Sequence, residues 1–145
     1  METILRGGCL CGDVRYECVG DPEDASYCHC DDCKKATGGP YTVGVRVQAA
    51  RLRLVSGRVK GYTTIADSGR KITREFCPRC GSPLFTRAEK CPHHVFLKAG
   101  CLDEPGLVQP RCQTWTRRAV PWAYVDEKLP CFPESRPSVP DAPQE

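Results

Sequence analysis

The sequence predicts a small, mainly β domain made of short antiparallel strands. Three observations carry that expectation. Apolar residues recur at every second position in several segments, and glycine and proline, thirteen of each, interrupt the chain too often for long helices. Turn-forming pairs such as Ser56-Gly57 separate the segments. At 145 residues the chain is long enough to bury one core.

The elements follow in order. The first segment runs into GGCLCG, and DVRYECVG then places Val14, Tyr16 and Cys18 on one face. YCHCDDCKKATGG starts extended and can turn into a short helix after Cys30. YTVGVRV alternates Tyr41, Val43, Val45 and Val47, and LRLVSGRVKGYTT reads as two short strands around the Ser56-Gly57 turn. KITREF and SPLFTR flank the turn sequence CPRCG, and HVFLKAG and RCQTWT supply further strands. Residues 1–132 form one domain in this reading. The Pro-rich, polar tail 133–145 is predicted to be disordered.

The net charge is +3, with the basic residues scattered, which argues against a nucleic-acid partner. No apolar run approaches the roughly 20 residues needed to span a bilayer, and no secretory signal opens the sequence. The expectation is a soluble, cytoplasmic protein with no membrane partner.

Cysteine carries the chemistry. Twelve cysteines suit either a disulfide scaffold or metal binding, and a cytosolic setting together with the tight spacing favours metal. Cys9-x-Cys11 aims two sulfurs at one point, and Cys77-x-x-Cys80 on a tight turn does the same. The two pairs supply the tetrahedral thiolate shell of a structural zinc. A redox role for Cys77 and Cys80 is weakened because Pro83 stands where an activating helix would form.

Cys28, Cys30 and Cys33 form a second cluster with one corner left open. Structural zinc is closed by protein, whereas catalytic zinc keeps a position for water or substrate. Cys91, His93, His94, Cys101 and Cys112 are the candidates for closing that corner. His29 lies between two ligands, so its ring points away from their metal and it reads as a packing or supporting residue. Cys18 reads as core and Cys131 as part of the C-terminal packing. An iron site of the Cys₄ type is a further option. No Gly-x-Ser-x-Gly, phosphate-binding glycine loop or His-Glu-x-x-His is present, and no zinc-deaminase pattern.

GGCLCGDVRYE, CHCDDCKKATG, REFCPRCGSPLF, AGCLDEP and PWAYVDEKLPCF, in this order, resemble the glutathione-dependent formaldehyde-activating enzyme family over nearly all of residues 7 to 132. The resemblance implies a β-tent type fold of two coiled antiparallel sheets organised by a structural zinc. It assigns Cys9, Cys11, Cys77 and Cys80 to that zinc, and Cys28, Cys30 and Cys33 to a second zinc used in chemistry. It alone implies the substrates: a small thiol such as glutathione, and formaldehyde or a similar aldehyde. The expected activity is then that of a carbon–sulfur lyase or synthase handling S-(hydroxymethyl)glutathione. The family also holds relatives of centromere protein V, so a zinc-stabilised binding module is the alternative. Three thiolates on one zinc leave a net negative charge, and Lys34 and Lys35 are the candidates to offset it and to meet a carboxylate of the thiol. Trp115 and Trp122 read as core residues, with a cleft wall as their functional alternative, and Arg117 and Arg118 match no defined role.

Overall fold

The structure is a computed structural model that describes residues 1–137. Ten strands and one α-helix make it mainly β. In chain order they are β1 (Thr3–Gly8), β2 (Arg15–Gly20), β3 (Ala25–Cys28), α1 (Asp31–Thr37), β4 (Thr42–Gln48), β5 (Leu52–Ser56), β6 (Lys60–Ile65), β7 (Lys71–Phe76), β8 (Pro83–Ala88), β9 (His94–Lys98) and β10 (Cys112–Thr114). No helix among the described residues is long and apolar enough to cross a membrane.

The strands form two sheets, one of order β1-β2-β5 and one of order β10-β3-β4-β9-β8-β7-β6. Every pairing is antiparallel except the short parallel contact of β10 with β3. The core lies between the sheets. Leu5, Tyr16 and Cys18 enter it from the smaller sheet, and Val45, Val47, Phe85, Val95 and Leu97 from the larger one. Tyr16 meets Phe85 edge to face, with ring centroids 5.0 Å apart, an arrangement that aromatic quadrupoles favour. Period-two alternation thus sorted the buried face of DVRYECVG, where Val14, Tyr16 and Cys18 are all buried.

LRLVSGRVKGYTT contains two strands around Ser56-Gly57, β5 and β6, as expected, and they join different sheets. β5 pairs with β2 in the small sheet and β6 with β7 in the large one. The Ser56-Gly57 turn is bound instead to the loop before β2. Ser56 Oγ donates to Asp13 O at 3.1 Å, and a Cβ at position 57 would lie 2.3 Å from that same oxygen. Trp122, expected in the core, is 71% exposed. It falls in an irregular segment beyond the sheet edge at β10, where no strand face covers it.

The tail expected at 133–145 lies mostly outside the described residues. At its start, Glu134 O and Pro133 O accept from the amides of Trp115 and Arg117, and Arg117 pairs with Glu134 at 2.7 Å.

Leu97 is fully buried between the sheets. Leu97→Ala is expected to lower the unfolding free energy by about 2–5 kcal/mol, read as a lower urea midpoint at unchanged slope.

Candidate metal centres

Two cysteine groups have sulfurs that all lie within 4.8 Å of one another: Cys9, Cys11, Cys77 and Cys80 in one, and Cys28, Cys30 and Cys33 in the other. Both coincide with the groups read from spacing.

The four-cysteine group joins two tight turns. β1 delivers Cys9 and Cys11, and β7 delivers Cys77 and Cys80. In the first turn Cys9 N–H donates to Val14 O (3.1 Å) and Gly12 N–H to Cys9 O (3.2 Å). The second repeats the device, with Cys77 N–H to Ser82 O (3.0 Å) and Gly81 N–H to Cys77 O (2.9 Å). Gly12 and Gly81 sit at φ 84 and 77, a left-handed conformation that side chains disfavour and both turns require. Ser82 locks the turns together, since its hydroxyl accepts from Leu10 N–H (2.9 Å) and contacts Cys80 Sγ (3.2 Å).

The donor chemistry fits a tetrahedral thiolate-bound ion. Bonds of about 2.3 Å place sulfurs roughly 3.8 Å apart in a tetrahedron. Here Cys9 and Cys11 are 3.5 Å apart, and Cys11 and Cys77 3.7 Å. Backbone amides also point at sulfur, Val14 N–H at Cys9 (3.2 Å) and Cys80 N–H at Cys77 (3.5 Å). Ser82, through its hydroxyl and its amide, lowers the Cys80 thiol to about 5. Asp13's backbone favours ionised Cys11, yet burial and the thiols of Cys9, Cys80 and Cys77 push it up to about 12. Four crowded sulfurs cannot all ionise unaided; a divalent cation removes the conflict.

The three-cysteine group straddles the end of β3 and the start of α1. Cys28 is the last residue of β3. Cys30 is the N-cap of α1, extended at φ −62 and ψ 156, and its sulfur accepts from the Cys33 amide at 3.3 Å. One capping geometry therefore turns the chain and brings two of the sulfurs together. Hydrogen bonds from the thiols of Cys30 and Cys33 bring Cys28 down to about 2 against its burial, while Cys28 and Cys30 push Cys33 far up. Without a cation, the trio favours one thiolate held by two thiols.

Among the described residues no fourth Cys, His, Asp or Glu ligand atom joins the trio. Cys101 donates instead to Pro83 O at 3.0 Å, and Cys112 is buried in β10. Cys91 and His93 lie in the turn entering β9 and His94 is its first residue, and all three have partners of their own. His29 is fully buried, its Nε2 2.9 Å from Gln113 Oε1 and its ring edge-on to Tyr41. Lys34 Nζ donates to Arg118 O (2.6 Å) and pairs with Asp31 (3.0 Å), while Lys35 is exposed. Trp115 adopts φ 55 and receives the Arg117 guanidinium at 5.6 Å from its ring.

Lys98 is the neighbour that sequence reasoning missed. It is 7% exposed at the end of β9, and its Nζ donates to Thr42 Oγ1 at 2.9 Å. Burial pushes its pKa down, while the charges of Cys33, Cys28 and Cys30 act to raise it. The available signal was a lysine inside HVFLKAG, on an otherwise apolar strand.

A small, mainly β protein with two thiol clusters, each able to hold a metal ion and compatible with zinc, is the class that fold and sites define. The profile of the family described as glutathione-dependent formaldehyde-activating enzyme matches residues 4–118, and the chain belongs to that family. The fold is similar to a crystal structure of a protein from Rhodobacter sphaeroides, with a TM-score of 0.57 and 20% identity over 88% of this chain and 98% of that one. No curated protein matches the chain.

Cys77→Ser is expected to cost the fold its cooperative unfolding transition, because the sulfurs of β1 and β7 then lack a common ion. Cys33→Ser is expected to keep near-UV circular dichroism while metal content falls from about two ions per chain to about one.

Proposed function

We propose that this protein is a zinc-dependent enzyme of the carbon–sulfur lyase type, forming or cleaving a thiol–aldehyde adduct such as S-(hydroxymethyl)glutathione. Cys9, Cys11, Cys77 and Cys80 would hold the structural zinc, and Cys28, Cys30 and Cys33 the zinc at the reaction centre. The observation that carries the reading is the unequal ligand count, four sulfurs in one cluster and three in the other. The family description supplies glutathione and formaldehyde.

Zinc at the second centre would supply a redox-inert positive charge that favours the ionised form of a fourth, exogenous thiol. The protein's own part is to hold three sulfurs ready. Cys30 does so by capping α1, and Cys33 by donating its amide to Cys30. His29, bonded to Gln113 and to Thr114 O through its amide, fixes the backbone between two of the ligands. In the forward reaction the thiolate sulfur bonds to the carbonyl carbon of formaldehyde, and the carbonyl oxygen takes the proton the thiol gave up. The reverse breaks that carbon–sulfur bond and returns the proton.

Lys35, exposed five residues on from Cys30, is the less engaged of the two helix lysines and the candidate to meet a carboxylate of the thiol, since Lys34 already serves Asp31 and Arg118 O. The seven cysteines of the two clusters are free thiols, a state that a cytoplasmic setting would preserve. A surface cavity of about 400 Å³ borders the four-cysteine cluster near Arg58 and Arg79. Four protein sulfurs there leave no corner for a substrate thiol, so the chemistry is assigned to the other cluster.

Glutathione added to cobalt-substituted protein is expected to strengthen the sulfur-to-cobalt charge-transfer bands, and Cys30→Ser to remove that response. Unchanged bands in the parent protein would instead support the alternative, a zinc-stabilised binding module without catalysis.

A further inference from the structure

The ligands of the three-cysteine centre leave its charge unbalanced. Three thiolates around a divalent cation carry one net negative charge, which opposes entry of another anion. The compensating charge comes from β9. Lys98 Nζ donates to Thr42 Oγ1 at 2.9 Å. Thr42 pairs with Cys28 across β3 and β4, and Gly44, two residues further along β4, pairs with Lys98. Register therefore brings the lysine to the sheet face that carries Cys28.

Lys98 is buried, and among the described residues no carboxylate lies within ion-pair distance of it. The anionic groups that act on it are Cys33, Cys28 and Cys30. A buried ammonium without a carboxylate is costly unless another anion faces it, and register places Cys28 on the same sheet face. Arg74 on β7 adds a second cation within electrostatic reach of Lys98. Its guanidinium donates to Thr64 Oγ1 at 3.2 Å, and its Nε is buried without a partner.

We propose that Lys98, backed by Arg74, is the built-in countercharge that lets the three-cysteine centre take an anionic fourth ligand, a thiolate, in place of neutral water. The proposal rests on reading that centre as a thiol site. With a divalent cation, three protein thiolates and one exogenous thiolate, the two side chains bring the cluster to neutrality. Because both charges sit on strands of the sheet and not on α1, they recognise the sulfur itself and not the carboxylates of the molecule that carries it. The ligand class is accordingly small thiols in general, with or without carboxylates.

The test compares glutathione, 2-mercaptoethanol and thiocyanate as ligands of the cobalt-substituted protein, in the parent chain, Lys98→Met and Lys98→Arg. Methionine keeps length and apolar bulk, and near-UV circular dichroism with cobalt content verifies that each variant is folded and loaded. An opposite charge a few ångströms away shifts an ionic equilibrium by about one to three powers of ten. Lys98→Met is therefore expected to weaken all three ligands at least about ten-fold and to similar extents, with Lys98→Arg restoring most of the loss. Equal affinities in the parent and Lys98→Met overturn the proposal. So does a loss confined to glutathione, which would make the lysine a carboxylate anchor. If neither thiol but only thiocyanate binds, in a Lys98-dependent way, the thiol reading falls and the countercharge stands. If thiocyanate also fails to bind, the countercharge falls with it.

Discussion

Repulsion between crowded sulfurs is the constraint around which this protein is organised. Seven of its cysteines stand in two groups whose sulfurs lie within 4.8 Å of one another, and within each group ionising one thiol makes its neighbours harder to ionise. A divalent cation would resolve the conflict, and metal affinity and folding free energy would then become one quantity. The architecture follows from where this resolution occurs. The four-cysteine group ties the end of β1, in the small sheet, to the turn between β7 and β8 in the large one, beside the core that both sheets enclose.

The two centres differ in how they are built. The closed one rests on two turns of similar hydrogen bonding, each ended by a left-handed glycine and both gripped by Ser82. The other forms where a strand becomes a helix, with Cys30 serving as cap and as candidate ligand at once. A capped helix start is a compact way to gather three sulfurs, but it approaches from one side only. The second element is the strand pair β4 and β9, whose Thr42 and Lys98 share the sheet face of Cys28 and contribute a hydrogen bond and a charge but no further sulfur. The assignment of chemistry to this centre rests on its three sulfurs against the other's four.

Much of this was legible in the sequence because the information is local. Cys9 with Cys11, Cys77 with Cys80, and Cys28, Cys30 and Cys33 lie within a few residues of each other, so strand alternation and turn geometry bring each set together whatever the rest of the chain does. The buried face of Val14, Tyr16 and Cys18 was readable for the same reason. The partners of the two strands around Ser56-Gly57 were not legible, because turn chemistry reports a change of direction and not the identity of the next strand's partner. Trp122 was misplaced because bulk and apolarity predict burial only where an element is present to cover the ring.

The sequence by itself determined which sulfurs act together, that strands would carry them, and which family the chain resembles. Tertiary structure alone decided that none of the more distant cysteines or histidines among the described residues joins the trio, and that Lys98 rather than a residue of α1 is the buried charge near it. The physical reason is range. Residue spacing fixes directions over a turn or a strand pair, whereas the meeting of β1 with β7 depends on how the two sheets pack, and that of β9 with β3 across β4 on sheet register, which no local pattern encodes.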